Sequence, residues 1–302
     1  MNILITGAIG FLGRNTAKKL NNKKNRIIGL GRGKTSSEFL KSWGIDKWYE
    51  SEINFETLIK INIKFDLIIH CGGGSSVAFS NSNPIEDFDN SAKTTLSLLE
   101  YIRKSNVKCK FIYPSSPAVL GNFSNKDIKP VKDFKPISLY GLNKQVAEEI
   151  CLHYNRNFGI NIGIIRFFSI YGNDLKKQLL WDACNKIKSN SATFFGTGSE
   201  TRDWIHVNDA VDLIQIFSQK FNGLKIINGG TGIATTNKTI IEMISSNFQR
   251  SIKIKFNNKV KEGDPQHYCA NILESLSFGW VPKIKVESGV KNYVRNYIKL
   301  YD

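Results

Sequence analysis

The chain opens on an apolar run, Met1-Asn2-Ile3-Leu4-Ile5, that suits a short buried strand and breaks at Gly7. Glycine recurs at Gly10 and Gly13, and Leu12, Thr16 and Leu20 then follow at the spacing of a helix. Short apolar runs at Arg26-Ile27-Ile28-Gly29-Leu30, at Lys47-Trp48-Tyr49 and at residues 65–70, 110–113 and 160–166 predict five further strands. Residues 90–104 predict a long helix with Leu96, Leu99 and Ile102 on one side, and residues 140–158 predict another. Strands alternating with helices imply an α/β fold, a parallel sheet with helices on both faces. From about residue 171 the rhythm loosens: a helix near 179–189, one capped by Asn208 or Asp209, and a strand at 224–228.

Composition changes this picture little. With 302 residues, 41% hydrophobic and 23% charged, the chain is an ordinary globular protein able to bury a large core. No apolar run approaches the roughly 20 residues that cross a bilayer, and no basic region precedes the opening run as in a secretory signal. A cytoplasmic protein is expected, with no membrane partner. Five cysteines without a Cys-x-x-Cys pair, and four scattered histidines, read as free thiols and lone rings rather than disulfides or a metal site. The net charge of +16 is spread along the chain with no basic block. That pattern argues against nucleic acid and for a surface biased toward small anions.

Two stretches carry chemistry. A backbone that turns tightly against a pyrophosphate has no room for side chains, which suits Gly7, Gly10 and Gly13, and the helix that follows offers free N–H groups to the anion. Far downstream, Tyr140 and Lys144 stand four apart and share one helical face. Moving hydride between a nicotinamide and a C–OH/C=O pair requires a group that takes or gives the hydroxyl proton. Free tyrosine, with a pKa of about 10, is a poor base at neutral pH. A nearby ammonium, with the positive oxidised nicotinamide, favours the phenolate. A shift of ~3 units corresponds to ~4 kcal/mol. Tyr140 is therefore assigned as acid/base and Lys144 as the residue that tunes it.

The sequence resembles the extended short-chain dehydrogenase/reductase family, the nucleotide-sugar epimerases, dehydratases and reductases. The likeness covers nearly the whole chain. It rests on Thr6-Gly7-Ala8-Ile9-Gly10-Phe11-Leu12-Gly13, Asp66-Leu67-Ile68-Ile69-His70-Cys71-Gly72-Gly73, Ser115-Ser116-Pro117-Ala118-Val119-Leu120-Gly121 and Tyr140-x-x-x-Lys144. It continues through Arg166-Phe167-Phe168-Ser169-Ile170-Tyr171-Gly172, Arg202-Asp203-Trp204-Ile205-His206-Val207-Asn208-Asp209 and Gly263-Asp264-Pro265. The resemblance implies a Rossmann-like, doubly wound parallel sheet. Residues 1–170 would form the dinucleotide-binding domain, with sheet contributions from about 200–230, and 171–302 mostly a smaller substrate-binding lobe. The cofactor would contact Gly7, Ile9, Gly10, Phe11, Leu12, Gly13, Arg32, Glu52, Ile53, Cys71, Gly72, Gly73 and Asn90. Tyr140, Lys144, Phe167, Ser169 and Ile170 would complete that site. Lys144 would hold the nicotinamide ribose, Glu52 the adenine, and Ser116 the reacting oxygen. Ser75, Ser116, Ser169, Arg202 and Lys261 would face the substrate, with Arg202 on its diphosphate. A homodimer through the helices at 90–104 and 140–158 is the family's habit.

Departures from the family narrow the reaction. The Asp-Glu pair that dehydrates sugars is replaced by Pro117 and Ala118, neither able to move a proton. The Cys and His of 3,5-epimerising reductases are absent from the matching positions as well. Hydride chemistry on a nucleotide-sugar remains. The expectation is NADP(H)-dependent reduction of a 4-keto nucleotide-sugar in surface polysaccharide precursor synthesis, with a 4-epimerase holding NAD(P) tightly as the alternative. The alternative of another class is a non-catalytic dinucleotide sensor or RNA-binding protein, for which a proton relay has no purpose. NADP is favoured over NAD because the second strand ends in Gly31-Arg32-Gly33-Lys34, with no carboxylate to repel a 2′-phosphate and an arginine able to grip it.

Overall fold

The computed structural model describes residues 1–74, 76–122, 134–248, 252–259, 263 and 265–301. Among them the strands are β1 (Asn2–Thr6), β2 (Arg26–Gly31), β3 (Lys47–Glu50), β4 (Leu67–His70), β5 (Lys110–Ser115), β6 (Ile162–Phe167), β7 (Ser169–Tyr171), β8 (Thr193–Phe194), β9 (Thr201–His206), β10 (Leu224–Gly229), β11 (Ala234–Thr236) and β12 (Lys255–Phe256). The helices are α1 (Phe11–Leu20), α2 (Ser37–Ser42), α3 (Phe55–Ile61), α4 (Val77–Ser82), α5 (Pro84–Phe88), α6 (Thr94–Ser105), α7 (Leu139–Phe158), α8 (Gln178–Lys188), α9 (Val207–Lys220), α10 (Asn237–Asn247), α11 (Leu273–Ser277) and α12 (Val286–Tyr301).

The central sheet runs in the order β10-β6-β5-β4-β1-β2-β3, and every pairing in it is parallel. The apolar runs become its strands because a parallel sheet is buried on both faces. In β1 the period of two is plain: Ile3 and Ile5 enter the core beneath α1 and α9. Leu4 enters the opposite core, beneath α3, α6 and α7. The strand order reverses between β1 and β4, so the crevice at their carboxyl ends is the place for a ligand. A third core, with Tyr171, Leu180, Ile187, Ile240, Ile244, Tyr293 and Tyr297, holds the later elements together. No helix among the described residues is long and apolar enough to cross a membrane.

Two local expectations are corrected. The helix predicted over 90–104 begins as a π-helical turn, Asp89–Lys93, and becomes α-helical only at Thr94. Its buried stripe is Leu98, Leu99 and Ile102, while Leu96 is 44% exposed, since at about 100° per residue positions 96 and 102 cannot share one narrow face. The helix at 208 is capped by neither Asn208 nor Asp209. It starts at Val207, and the His206 ring Nδ1 accepts the Asn208 N–H at 3.2 Å.

Candidate active site

The glycine turn is built by steric necessity. Gly7 sits at φ +64°, and a Cβ there would lie 2.8 Å from the Cys71 carbonyl oxygen. A Cβ on Gly13 would collide with the Gly7 carbonyl oxygen, so the first turn of α1 can close onto the strand only without one. The Gly7 N–H donates to the Leu30 oxygen at 2.7 Å and the Gly10 N–H to the Gly7 oxygen at 2.9 Å. Gly10 caps α1 and brings no side chain to its first-turn N–H groups. An uncapped helix start beside a bare backbone fits a pyrophosphate. Behind the turn, His70 is fully buried between Thr6 Oγ1, 2.7 Å from Nδ1, and Thr94 Oγ1, 2.9 Å from Nε2. Thr94 donates to the Asn90 oxygen, so the ring gives its proton to Thr94 from Nε2 and accepts from Thr6 at Nδ1. Burial pushes this imidazole down to about 3, with the Lys144 charge adding to the effect.

A cavity of about 1190 Å³ opens at this sheet edge. Its walls bring together Gly10, Phe11, Leu12, Cys71, Gly73, Ser116, Tyr140, Lys144, Phe167, Ser169, Ile170 and Arg202 from the expected site. Tyr140 stands at the start of α7, whose cap Ser138 accepts the Gly141 N–H at 3.1 Å. Gly141 allows the close approach that follows, since a Cβ there would lie 2.5 Å from the Ala118 oxygen. That contact sets Tyr140 against the turn Pro117–Leu120, with Ser116 beside it on the same cavity wall. Ser116 Oγ also accepts the Ala118 N–H at 3.2 Å. Ser115 points the other way, donating to Glu148 at 2.6 Å.

The electrostatics differ from expectation. Burial raises the Tyr140 phenol to about 12; the Ser116 hydrogen bond opposes the rise and the Asp87 carboxylate adds to it. Burial lowers the Lys144 ammonium to about 8, against the pull of Asp87. The protein alone therefore does not lower the phenol as the Tyr140–Lys144 spacing suggested. Lys144 Nζ donates to the Pro114 oxygen at 3.2 Å and lies 5.9 Å from the Tyr140 ring centre but 4.8 Å from that of Tyr113. Asp87 is a buried carboxylate that the sequence did not reveal. Its Oδ2 accepts from Ser80 and from Asn143 at 2.7 Å, while Oδ1 has no hydrogen-bond partner.

Other expected residues lie outside the cavity. Ile9 packs beside Gly33, and Ile53 packs on Gly72. Glu52 is exposed just beyond β3. Arg32 donates from Nη1 to Glu86 Oε1 at 3.2 Å and from Nη2 to Asn90 Oδ1 at 3.1 Å, so Asn90 and Arg32 are engaged with each other. Arg14, on α1, turns toward the Asp174 oxygen and the Trp43 ring. Ser75 and Lys261 lie outside the described residues.

On the cavity wall, Arg202 stacks 5.8 Å above the Tyr268 ring and donates to the Thr201 oxygen. Asp203 accepts the N–H groups of Thr231, Gly232 and Ala270, and Asp209 those of Lys283 and Ile284. Lys177, Lys186 and Lys259 line the same cavity with Phe194, Phe195 and Gln266. Sequence reasoning missed all of these. They come from separate stretches of the chain, Lys186 on α8, Phe194 on β8 and the others from the segments between elements, and nothing in their local pattern marks them.

The fold and this site define a dinucleotide-dependent enzyme of the extended short-chain dehydrogenase/reductase type. Residues 3–230 match the NAD dependent epimerase/dehydratase family, and the chain belongs to it. A putative UDP-glucose 4-epimerase of Methanocaldococcus jannaschii is 29% identical over 98% of this chain and 98% of its own length. The UDP-glucuronate 4-epimerase of Thermodesulfobacterium geofontis is 27% identical over 96% and 94%. The crystal structure of UDP-glucuronic acid 4-epimerase from Bacillus cereus, in complex with UDP-glucuronic acid and NAD, superposes with a TM-score of 0.90. It is 24% identical, covers 100% of both chains, and is a likeness of fold.

Proposed function

We propose that the protein is a nucleotide-sugar 4-epimerase that keeps its nicotinamide dinucleotide bound through the catalytic cycle. The observation that carries this reading is that Ser116, Tyr140, Lys144 and Arg202, from separate parts of the chain, line the wall of one cavity. The sequence favoured net reduction of a 4-keto sugar. The same residues serve either reaction, and the names of the full-length relatives favour epimerisation.

When bound, the nicotinamide ring supplies the acceptor and then the donor of hydride. Tyr140 as phenolate takes the proton of the sugar 4-hydroxyl while hydride leaves C4, and returns it to the ketone oxygen when hydride comes back. Ser116 hydrogen-bonds that oxygen throughout. Lys144 would hold the nicotinamide ribose, and its ammonium, joined by the positive oxidised nicotinamide when bound, would favour the phenolate that the protein alone does not stabilise. Arg202, with Lys177 and Lys259 on the same cavity, offsets the diphosphate charge. Inversion requires the ketone to present its other face between the two transfers, and no reductant is consumed. Pro117 and Ala118 beside Ser116 offer no acid or base to expel water. The expected homodimer would use Leu96 and Leu142, each 44% exposed, on α6 and α7, and a native mass tests it.

Incubating the protein with UDP-glucose, UDP-galactose or UDP-glucuronate, without added reductant, should give a mixture of C4 isomers. Stoichiometric loss of added NADPH without isomer formation would overturn the proposal in favour of reduction. Salt-dependent RNA retention without any turnover would favour the non-catalytic alternative.

A further inference from the structure

The nucleotide end of the cradle contains a charge arrangement that the end of β2 alone does not reveal. Arg32 follows β2 directly. Its neighbours fix its place beside the glycine turn: a Cβ on Gly31 would lie 3.5 Å from the Gly7 nitrogen, and one on Gly33 would lie 3.3 Å from Ile9. This is where a dinucleotide lays its adenosine ribose. The guanidinium found there is already partnered. Glu86, on α5, meets Nη1, and Asn90, four residues later in the π turn, meets Nη2.

We infer that Glu86 takes the part of the ribose-binding carboxylate missing from the end of β2, and so selects NAD against NADP. The reading rests on the proposed nicotinamide-dependent function. Glu86 neutralises the charge of Arg32 and places a carboxylate beside the ribose. A 2′-phosphate carries about −1.5 to −2 near neutral pH and would enter against that carboxylate. A free 2′-hydroxyl would instead donate to it. The Arg32–Glu86 pair is exposed, with 56% and 46% of the side chains accessible, and a surface pair of this kind is weak. Glu86 is therefore available to accept from a hydroxyl, while Arg32 and Asn90 keep it at the ribose edge. The turn of backbone at Asp89–Lys93 brings Asn90 and Glu86 to the same guanidinium.

The test is nucleotide binding. Nucleotide released from the purified protein by denaturation should be NAD by mass. Titration with NADH and NADPH, followed by the fluorescence of the reduced nicotinamide, should show tighter binding of NADH. Glu86→Gln should strengthen NADPH binding about tenfold, as expected for removing one like charge at partly screened range, and should change NADH far less. Glu86 is exposed, so the variant is expected to fold. A wild type that prefers NADPH overturns the inference alone. So does an unchanged NADH-to-NADPH ratio in Glu86→Gln, or a selective loss of NADPH binding in Arg32→Ala, which would show Arg32 gripping the phosphate. Failure to bind either nucleotide overturns the functional reading and the inference together.

Discussion

Two buried charge clusters lie one turn apart on α7, and they are built to opposite standards. Around Glu148 every group is matched. Arg166 donates from Nε at 3.0 Å and from Nη2 at 2.7 Å, Ser115 adds a third bond, and both charged side chains are fully buried. Around Lys144 the matching is incomplete. Asp87 Oδ1 and the Tyr113 hydroxyl are buried without a partner, and burial depresses the ammonium while raising the phenol of Tyr140. A satisfied buried network fixes structure, and an unsatisfied one stores free energy that chemistry can use. The first cluster ties α7 to β5 and β6, and so holds the second in place.

Substitutions should separate the two. Tyr140→Phe is expected to lower turnover by about 10²–10⁴-fold with the thermal midpoint unchanged, since it removes only the proton carrier. Comparable turnover in the variant would sink the mechanism. Glu148→Gln should cost about 3–5 kcal/mol of stability by stranding the Arg166 charge, read by denaturant unfolding. Its isomerisation rate per folded molecule should survive at temperatures where it stays folded.

Lys144→Met should show the reverse: activity lost, stability gained. The drop of the ammonium from 10.5 to about 8 corresponds to about 3 kcal/mol held against folding at neutral pH. The sign follows from proton counts. Between about 8 and 10.5 the unfolded chain binds more protons than the folded one, so wild-type stability rises with pH across that window. The advantage of the methionine variant should therefore shrink between those pH values. A variant no more stable than wild type at pH 7 would show that Asp87 compensates the buried ammonium in full. The smallest contrast is between adjacent serines. Ser116→Ala should slow turnover by about tenfold or less, the range of one neutral hydrogen bond. Ser115→Ala should leave turnover alone and cost about 1.5–3 kcal/mol, as it removes a bond to a charged group.

The cradle was legible because its glycines answer to backbone geometry within one short segment. Tyr140 and Lys144 were legible because a helix converts a spacing of four into a shared face. Ser116 was singled out from Ser115 only by the resemblance; in the structure the Ser115 hydroxyl donates to Glu148 while Ser116 Oγ accepts the Ala118 N–H. What stayed hidden depends on partners far away in sequence. Glu148 reads as a surface charge on a long polar helix until Arg166 arrives 18 residues later. Asp87 reads the same way, yet α7 packs over α5 and buries it against Asn143. The absence of a carboxylate after β2 was read correctly, but Glu86 comes from a helix 54 residues further on. The direction of the Tyr140 shift also depends on the depth of the pocket, which spacing does not encode.

The pairing of β10 with β6 has a practical result for anyone cutting the chain. Residues 224–229 return to the central sheet after the polypeptide has already formed α8, β8, β9 and α9. A protein ended near residue 170 would bare the full hydrogen-bonding edge of β6, a strand buried along its whole length. Such an edge invites pairing with other copies, so residues 1–170 should aggregate when produced without the rest of the chain.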